Sequence, residues 1–220
     1  MTGVKLLISG LANSGKSTLT SKINNAMVVV CDGKAYPFKV PHYRVDSWDG
    51  IVDFKNTLVS KVKAYKEKTG SLPETIVIDT VTKLYEQIYI WCEDNFRGFD
   101  KFNNLVKETL ALNSVVENVL LAKGINVVIV AHAVYNSETN SYEIPAKGQF
   151  RESGGWLSVT DEASFLYVLG QERYIAHKEL KYPCRSTLDI PDSEPVSGYD
   201  INKHIQMLVD NNTESEDMVL

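Results

Sequence analysis

Nine consecutive residues, GLANSGKST from Gly10 to Thr18, have the types and spacing needed to hold phosphate. They fit G-x-x-x-x-G-K-[ST], with Gly10, Gly15, Lys16 and Ser17 at the fixed positions and Leu11, Ala12, Asn13 and Ser14 forming the loop between the glycines. The glycines let the backbone curl until successive N–H groups point inward at phosphate oxygens, and a helix N-terminus adds partial positive charge. Lys16 would reach the β- and γ-phosphates, and the Ser17 hydroxyl would hold Mg²⁺. The chemistry implied is binding of a nucleoside triphosphate.

Such a loop needs a carboxylate for the metal from the end of a neighbouring strand. TIVIDT, Thr75 to Thr80, offers Asp79 after four apolar or β-branched residues. An acid there faces the crevice in which open α/β sheets bind ligands, although aspartate is also a favoured cap for a following helix. VVIVAH ends in His132, either a hydrogen-bonded residue at a strand end or a contact to the γ-phosphate or its attacking water.

These residues require strands to carry them. Val4 to Ile8 reads as the strand before the loop and Lys16 to Asn24 as the helix after it. Met27 to Cys31, His42 to Val45, Thr75 to Ile78, Val127 to Val130, Ser164 to Leu169 and Arg173 to His177 read as further strands. Helical periodicity runs from Asp49, a candidate cap, to Lys68 before Gly70, and again over Thr80 to Trp91 and Leu105 to Lys123. Lys61, Lys63, Lys66 and Lys68 read as a solvated face. The alternation predicts an α/β fold with a mainly parallel, twisted sheet covered by helices on both faces.

With 220 residues, one domain over 1–208 is expected, followed by an acidic, disordered tail over 209–220. Cys31, Cys92 and Cys184 are odd in number and far apart, which points to reduced thiols and a cytoplasmic setting. Neither a membrane span nor a signal peptide is expected. The net charge is −5, yet from Asp189 onward eight acids face Lys203 alone, so the first 188 residues carry 22 basic and 20 acidic side chains. An acidic balance overall therefore does not exclude a polyanionic partner for the body.

GLANSGKSTL, VVVCDGK, YRVDSWDGIVDF, TIVIDTVTKLYE and VVIVAHA, in this order, resemble the single-domain RecA-like P-loop ATPases of bacteriophages, small recombination proteins that anneal single-stranded DNA. The similarity spans Val4 to Ile190. It implies a RecA-like P-loop NTPase core, hydrolysis of ATP with Mg²⁺, single-stranded DNA as partner, and a homo-oligomer built as a ring or filament. The catalytic carboxylate of that group maps onto Asp32, where glutamate is commoner, and its γ-phosphate sensor maps onto His132. Lys16, Asp32, Asp79 and His132 are thus the expected catalytic set, with Ser17 and Asp79 on the metal. Arg173, Lys178, Lys181 and Arg185 lie where such assemblies carry a basic residue that completes a neighbour's site. The acidic end resembles tails that compete with DNA or recruit replication partners such as a single-strand-binding protein.

Single-strand binding needs cationic grooves with aromatic faces. Trp91 to Phe102 interleaves aromatics with Arg97 and Lys101, and KGQFRESGGW offers Phe150, Arg151 and Trp156 between glycines. The alternatives are aromatic packing at a helix–loop junction for the first stretch, and a surface hairpin or lid for the second. Two other functions fit a P-loop domain of this size: a nucleoside or nucleotide kinase, against which five scattered arginines and no arginine-rich lid argue, and a nucleotide-gated interaction module with little turnover.

Overall fold

The computed structural model describes residues 2–216. In chain order its elements are β1 (Lys5–Gly10), α1 (Lys16–Thr20), β2 (Ala26–Val30), β3 (His42–Arg44), α2 (Ile51–Thr69), β4 (Thr75–Asp79), α3 (Val81–Asn95) and α4 (Asp100–Val115). A π-helical turn (Val116–Leu120) and a 3-10 turn (Leu121–Lys123) close α4 at Gly124. There follow β5 (Asn126–His132), β6 (Val134–Asn136), β7 (Ser141–Glu143), α5 (Gly148–Glu152), α6 (Gly155–Ser158), β8 (Glu162–Leu169), β9 (Glu172–Ala176), β10 (Ser193–Pro195) and α7 (Ile201–Glu216).

The main sheet has the order β10-β9-β8-β1-β5-β4-β2-β3. From β8 to β3 every pairing is parallel, while β8–β9 and β9–β10 are antiparallel. Both faces are buried because side chains alternate along each strand. Leu7, Val29, Ile76, Ile78, Val127 and Ile129 pack with Phe54, Leu58, Leu84, Ile88, Leu105 and Leu112 of α2, α3 and α4. Leu6, Ile8, Val28, Val30, Val77, Val128 and Val130 pack on the opposite side with Leu19 of α1 and Ile201, Ile205 and Leu208 of α7. The expected α/β architecture is therefore present. β6 and β7 form a separate antiparallel hairpin, which the apolar pattern did not reveal.

Two local expectations change. Asp49 does not cap α2: the Ile51 N–H donates to Glu108 Oε2 at 2.8 Å, as does Trp48 Nε1 at 3.0 Å. A carboxylate from α4 thus satisfies the first turn, and Asp49 instead accepts from Ser47 Oγ. The disordered tail expected from residue 209 does not start there, because α7 continues to Glu216. Its early turns are anchored through Ile201, Ile205 and Leu208, and Gln206 bonds Asp210 one turn on, so the helix propagates from turns already fixed. Residues 217–220 of that expected tail lie outside the described residues. No described helix is long and apolar enough to cross a membrane.

Candidate nucleotide site

The strand order brings the chemistry together. Gly10 at the end of β1 lies opposite His132 of β5, and Asp79 at the end of β4 lies opposite Val30 of β2, just before Cys31 and Asp32. β5 separates the P-loop strand from the Asp79 strand, so His132 stands between the loop and the carboxylate. All four positions fall at the carboxyl ends of parallel strands, where such sheets bind ligands.

Between β1 and α1 the backbone has little freedom. A methyl group at Gly10 would collide with the Leu166 carbonyl, and Gly15 takes φ 97° to turn the chain into α1. Leu11, Ala12, Asn13 and Thr18 are exposed on the loop, whereas Ser14 and Lys16 are buried. Lys16 Nζ donates to the carbonyls of Gly10 at 2.8 Å and Leu11 at 2.7 Å. Burial lowers its ammonium to about 8 despite the opposing pull of Asp79. Phosphate oxygens are stronger partners for this charge than carbonyls, which gives the site its preference for an anion.

Asp79 is buried, and its carboxyl is held above the ordinary range, chiefly by burial; hydrogen bonding to Ser17 and Thr80 and the charge of Lys16 act against this. Thr80 follows with φ 66° and ψ 55°, a left-handed conformation unusual for a β-branched residue, and its hydroxyl donates to Asp79 Oδ1 at 3.2 Å. Ser17 and Asp79 are thus neighbours presenting hard oxygen donors, the set that suits Mg²⁺.

Asp32 is half-buried and accepts from the Lys34 N–H at 3.0 Å. Its charge is felt by both Asp79 and His132. The His132 imidazole is half-buried and is lowered from its usual value by burial and by the nearby Lys16 charge. The expected catalytic set of Lys16, Asp32, Asp79 and His132 is therefore assembled in one place.

The other expected sites fare differently. Phe150 and Trp156 are not exposed stacking platforms: their relative exposures are 2% and 4%. α5 and α6 fold the segment inward, so the two rings meet edge-on at 5.0 Å and both face Tyr85. Burying large aromatic surface outweighs leaving it in water. Only Arg151 of that trio is exposed, 3.4 Å from Glu143. For Phe150→Leu we expect a loss of about 1 kcal/mol, or ~2–4 °C in Tm, with any DNA affinity unchanged; thermal melts and a DNA titration check this together. In the other stretch Arg97 is exposed, and Lys101 is tied to Glu93 at 2.6 Å. Phe99 and Phe102 beside them are 84% and 48% exposed.

Among the four late basic residues, Arg173 reaches the P-loop of its own chain: a Cβ at Gly15 would lie 3.1 Å from Arg173 Cδ and 3.2 Å from Nε. Within its own chain it lies beside the phosphate loop. The reason is the β8–β9 hairpin, which carries β9 back alongside β8 and brings its start over α1. The Arg185 guanidinium donates to the Thr160 carbonyl, and Lys181 lies 5.6 Å from the Tyr182 ring. Lys178 is half-buried, with its N–H on the Asp192 carbonyl. The Gly170 turn between two strand-like runs is the sequence signal that makes the Arg173 placement readable afterwards.

A phosphate loop closed by lysine, with a serine–aspartate oxygen pair and a histidine on the intervening strand, defines a P-loop nucleotide triphosphatase domain. The chain belongs to the AAA domain family, whose model matches residues 2–175, from before β1 into β9. Domains of this family are generally ATPases. No curated protein matches the chain.

Proposed function

We propose that this chain is an Mg²⁺-dependent ATP hydrolase of the cytoplasm that binds single-stranded DNA, assembles on it as a homo-oligomer and promotes annealing or strand pairing. The observation that carries the hydrolytic part is the convergence of Lys16, Ser17, Asp79, Asp32 and His132 on one crevice. The loop amides and Lys16 bind and orient the phosphates, and Arg173 adds positive charge beside Gly15. Ser17 and Asp79 would hold Mg²⁺, which would supply positive charge to neutralise the phosphates. Asp32 or His132 orients the attacking water, and catalysis is mostly positioning and electrostatics. For DNA, the support is the resemblance described above together with the exposed Phe99 and Phe102 next to Arg97, and the exposed Arg151. The acidic end would serve a replication partner such as a single-strand-binding protein.

The test is the ATPase rate with and without single-stranded DNA at low and moderate salt. We expect stimulation of several-fold that fades as salt rises, because backbone binding releases counterions. A rate indifferent to DNA would remove the DNA reading and leave the hydrolase. Phosphorylation of a nucleoside would replace both with a kinase.

A further inference from the structure

Away from the nucleotide crevice, three groups with metal-binding chemistry meet in the interior. Glu162 opens β8, His177 directly follows β9 and His204 lies on α7, with relative exposures of 1%, 0% and 4%. One ligand atom from each falls within 4.8 Å of the other two. We propose that Glu162, His177 and His204 form a structural site for a borderline divalent cation, Zn²⁺ above all, which fastens the last helix to the β8–β9 hairpin.

A plain histidine–glutamate pair explains part of this arrangement. His204 Nε2 faces Glu162 Oε1, and that contact alone gives both residues a partner. It does not explain His177. The Ser164 hydroxyl is bonded to His177 Nδ1 at 2.9 Å and so fixes the ring with Nε2 turned inward. Nε2 is fully buried and has no hydrogen-bond partner; its nearest charged group is Glu194 Oε1 at 3.6 Å. Leaving a buried nitrogen unpaired is unfavourable, and a metal bond would satisfy it.

The surroundings match what metal ligands need. Ser164 orients one imidazole, and Ser186 Oγ donates to Glu162 Oε2 at 2.8 Å, leaving Oε1 directed at the cluster. Two imidazoles and one carboxylate are a Zn²⁺ donor set, with bonds of about 2.0–2.2 Å and hence tetrahedral ligand separations of roughly 3.4 Å. The three ligand atoms lie within 4.8 Å of one another, so binding would draw His177 in and open the Glu162–His204 contact. Glu194 on β10, 30% exposed and 3.6 Å from His177 Nε2, or a water molecule would take the fourth position. No nucleotide group is required, so the site is independent of the hydrolase reading.

The test uses the purified full-length chain, stripped with chelator and titrated with ZnCl₂ in the absence of nucleotide. Competition with a chromophoric chelator is expected to give one tight ion per chain with submicromolar Kd. Tm should rise by several degrees, and X-ray absorption should show nitrogen and oxygen ligands only. His177→Gln should weaken binding at least tenfold, while Cys184→Ser, which removes the most accessible thiol, should leave it unchanged. Absence of binding by the wild-type chain would overturn the proposal whether or not the variant folds. So would affinity that survives His177→Gln, or sulfur in the coordination shell.

Discussion

Lys16→Ala loses ATP hydrolysis by roughly 10²–10³-fold, the scale of removing one pre-positioned electrostatic partner from a transition state, and still folds. The effect on turnover follows from the position of Nζ at the mouth of the phosphate loop, where it rests on the Gly10 and Leu11 carbonyls. The fold survives because burial disfavours the charged lysine, as its lowered value of about 8 records. Alanine removes that burdened charge along with two hydrogen bonds to carbonyls. Steady-state rates beside far-ultraviolet dichroism and a thermal melt check both halves. Normal hydrolysis by the variant would sink the assignment of the site.

Asp79→Asn separates activity from stability in opposite directions. Turnover is expected to fall by about 10²-fold or more, because an amide would not replace the carboxylate in the proposed metal role. In metal-free buffer at neutral pH, however, the variant melts higher than the wild type. Burial is the largest influence on Asp79 and raises its folded value above the unfolded one. The unfolded chain therefore ionises first as pH rises, and stability is lost through the window between the two values. Below that window both states hold the proton and the difference disappears. Asparagine does not ionise, so the two melting curves should coincide near pH ~3 and separate by a few degrees at pH ~7.5. A lower Tm for the variant at neutral pH would show that the bonds to Ser17 and Thr80 outweigh burial.

Much of this was legible in the chain itself, for a physical reason. A phosphate loop is a local device, its residues adjacent and its geometry set by glycine, and buried parallel strands announce themselves as short apolar runs ending at the site. Gly10 to Ser17, Asp79 and His132 could therefore be placed before any coordinates. What escaped depends on partners distant in sequence. Glu108 caps a helix more than fifty residues earlier, a contact with no local pattern. Phe150 and Trp156 look like exposed aromatics among glycines, yet Tyr85 is there to receive them. Arg173 and the Glu162, His177 and His204 group are brought into place by strand pairing and by a helix at the far end of the chain. Single positions give no hint of such meetings.

One consequence lies in how little chain separates β5 from the hairpin. His132 is the last residue of β5, Ala133 is buried, and β6 begins at Val134, with Tyr135 half exposed on its surface. No loop intervenes to absorb movement. On the role proposed for His132, a displacement of the histidine with the terminal phosphate would pass along the short backbone link to Val134 and Tyr135, as along the short arm of a lever. On that proposal the hairpin would be a pointer fixed to the nucleotide crevice, turning a change at the phosphate into a change at an exposed surface.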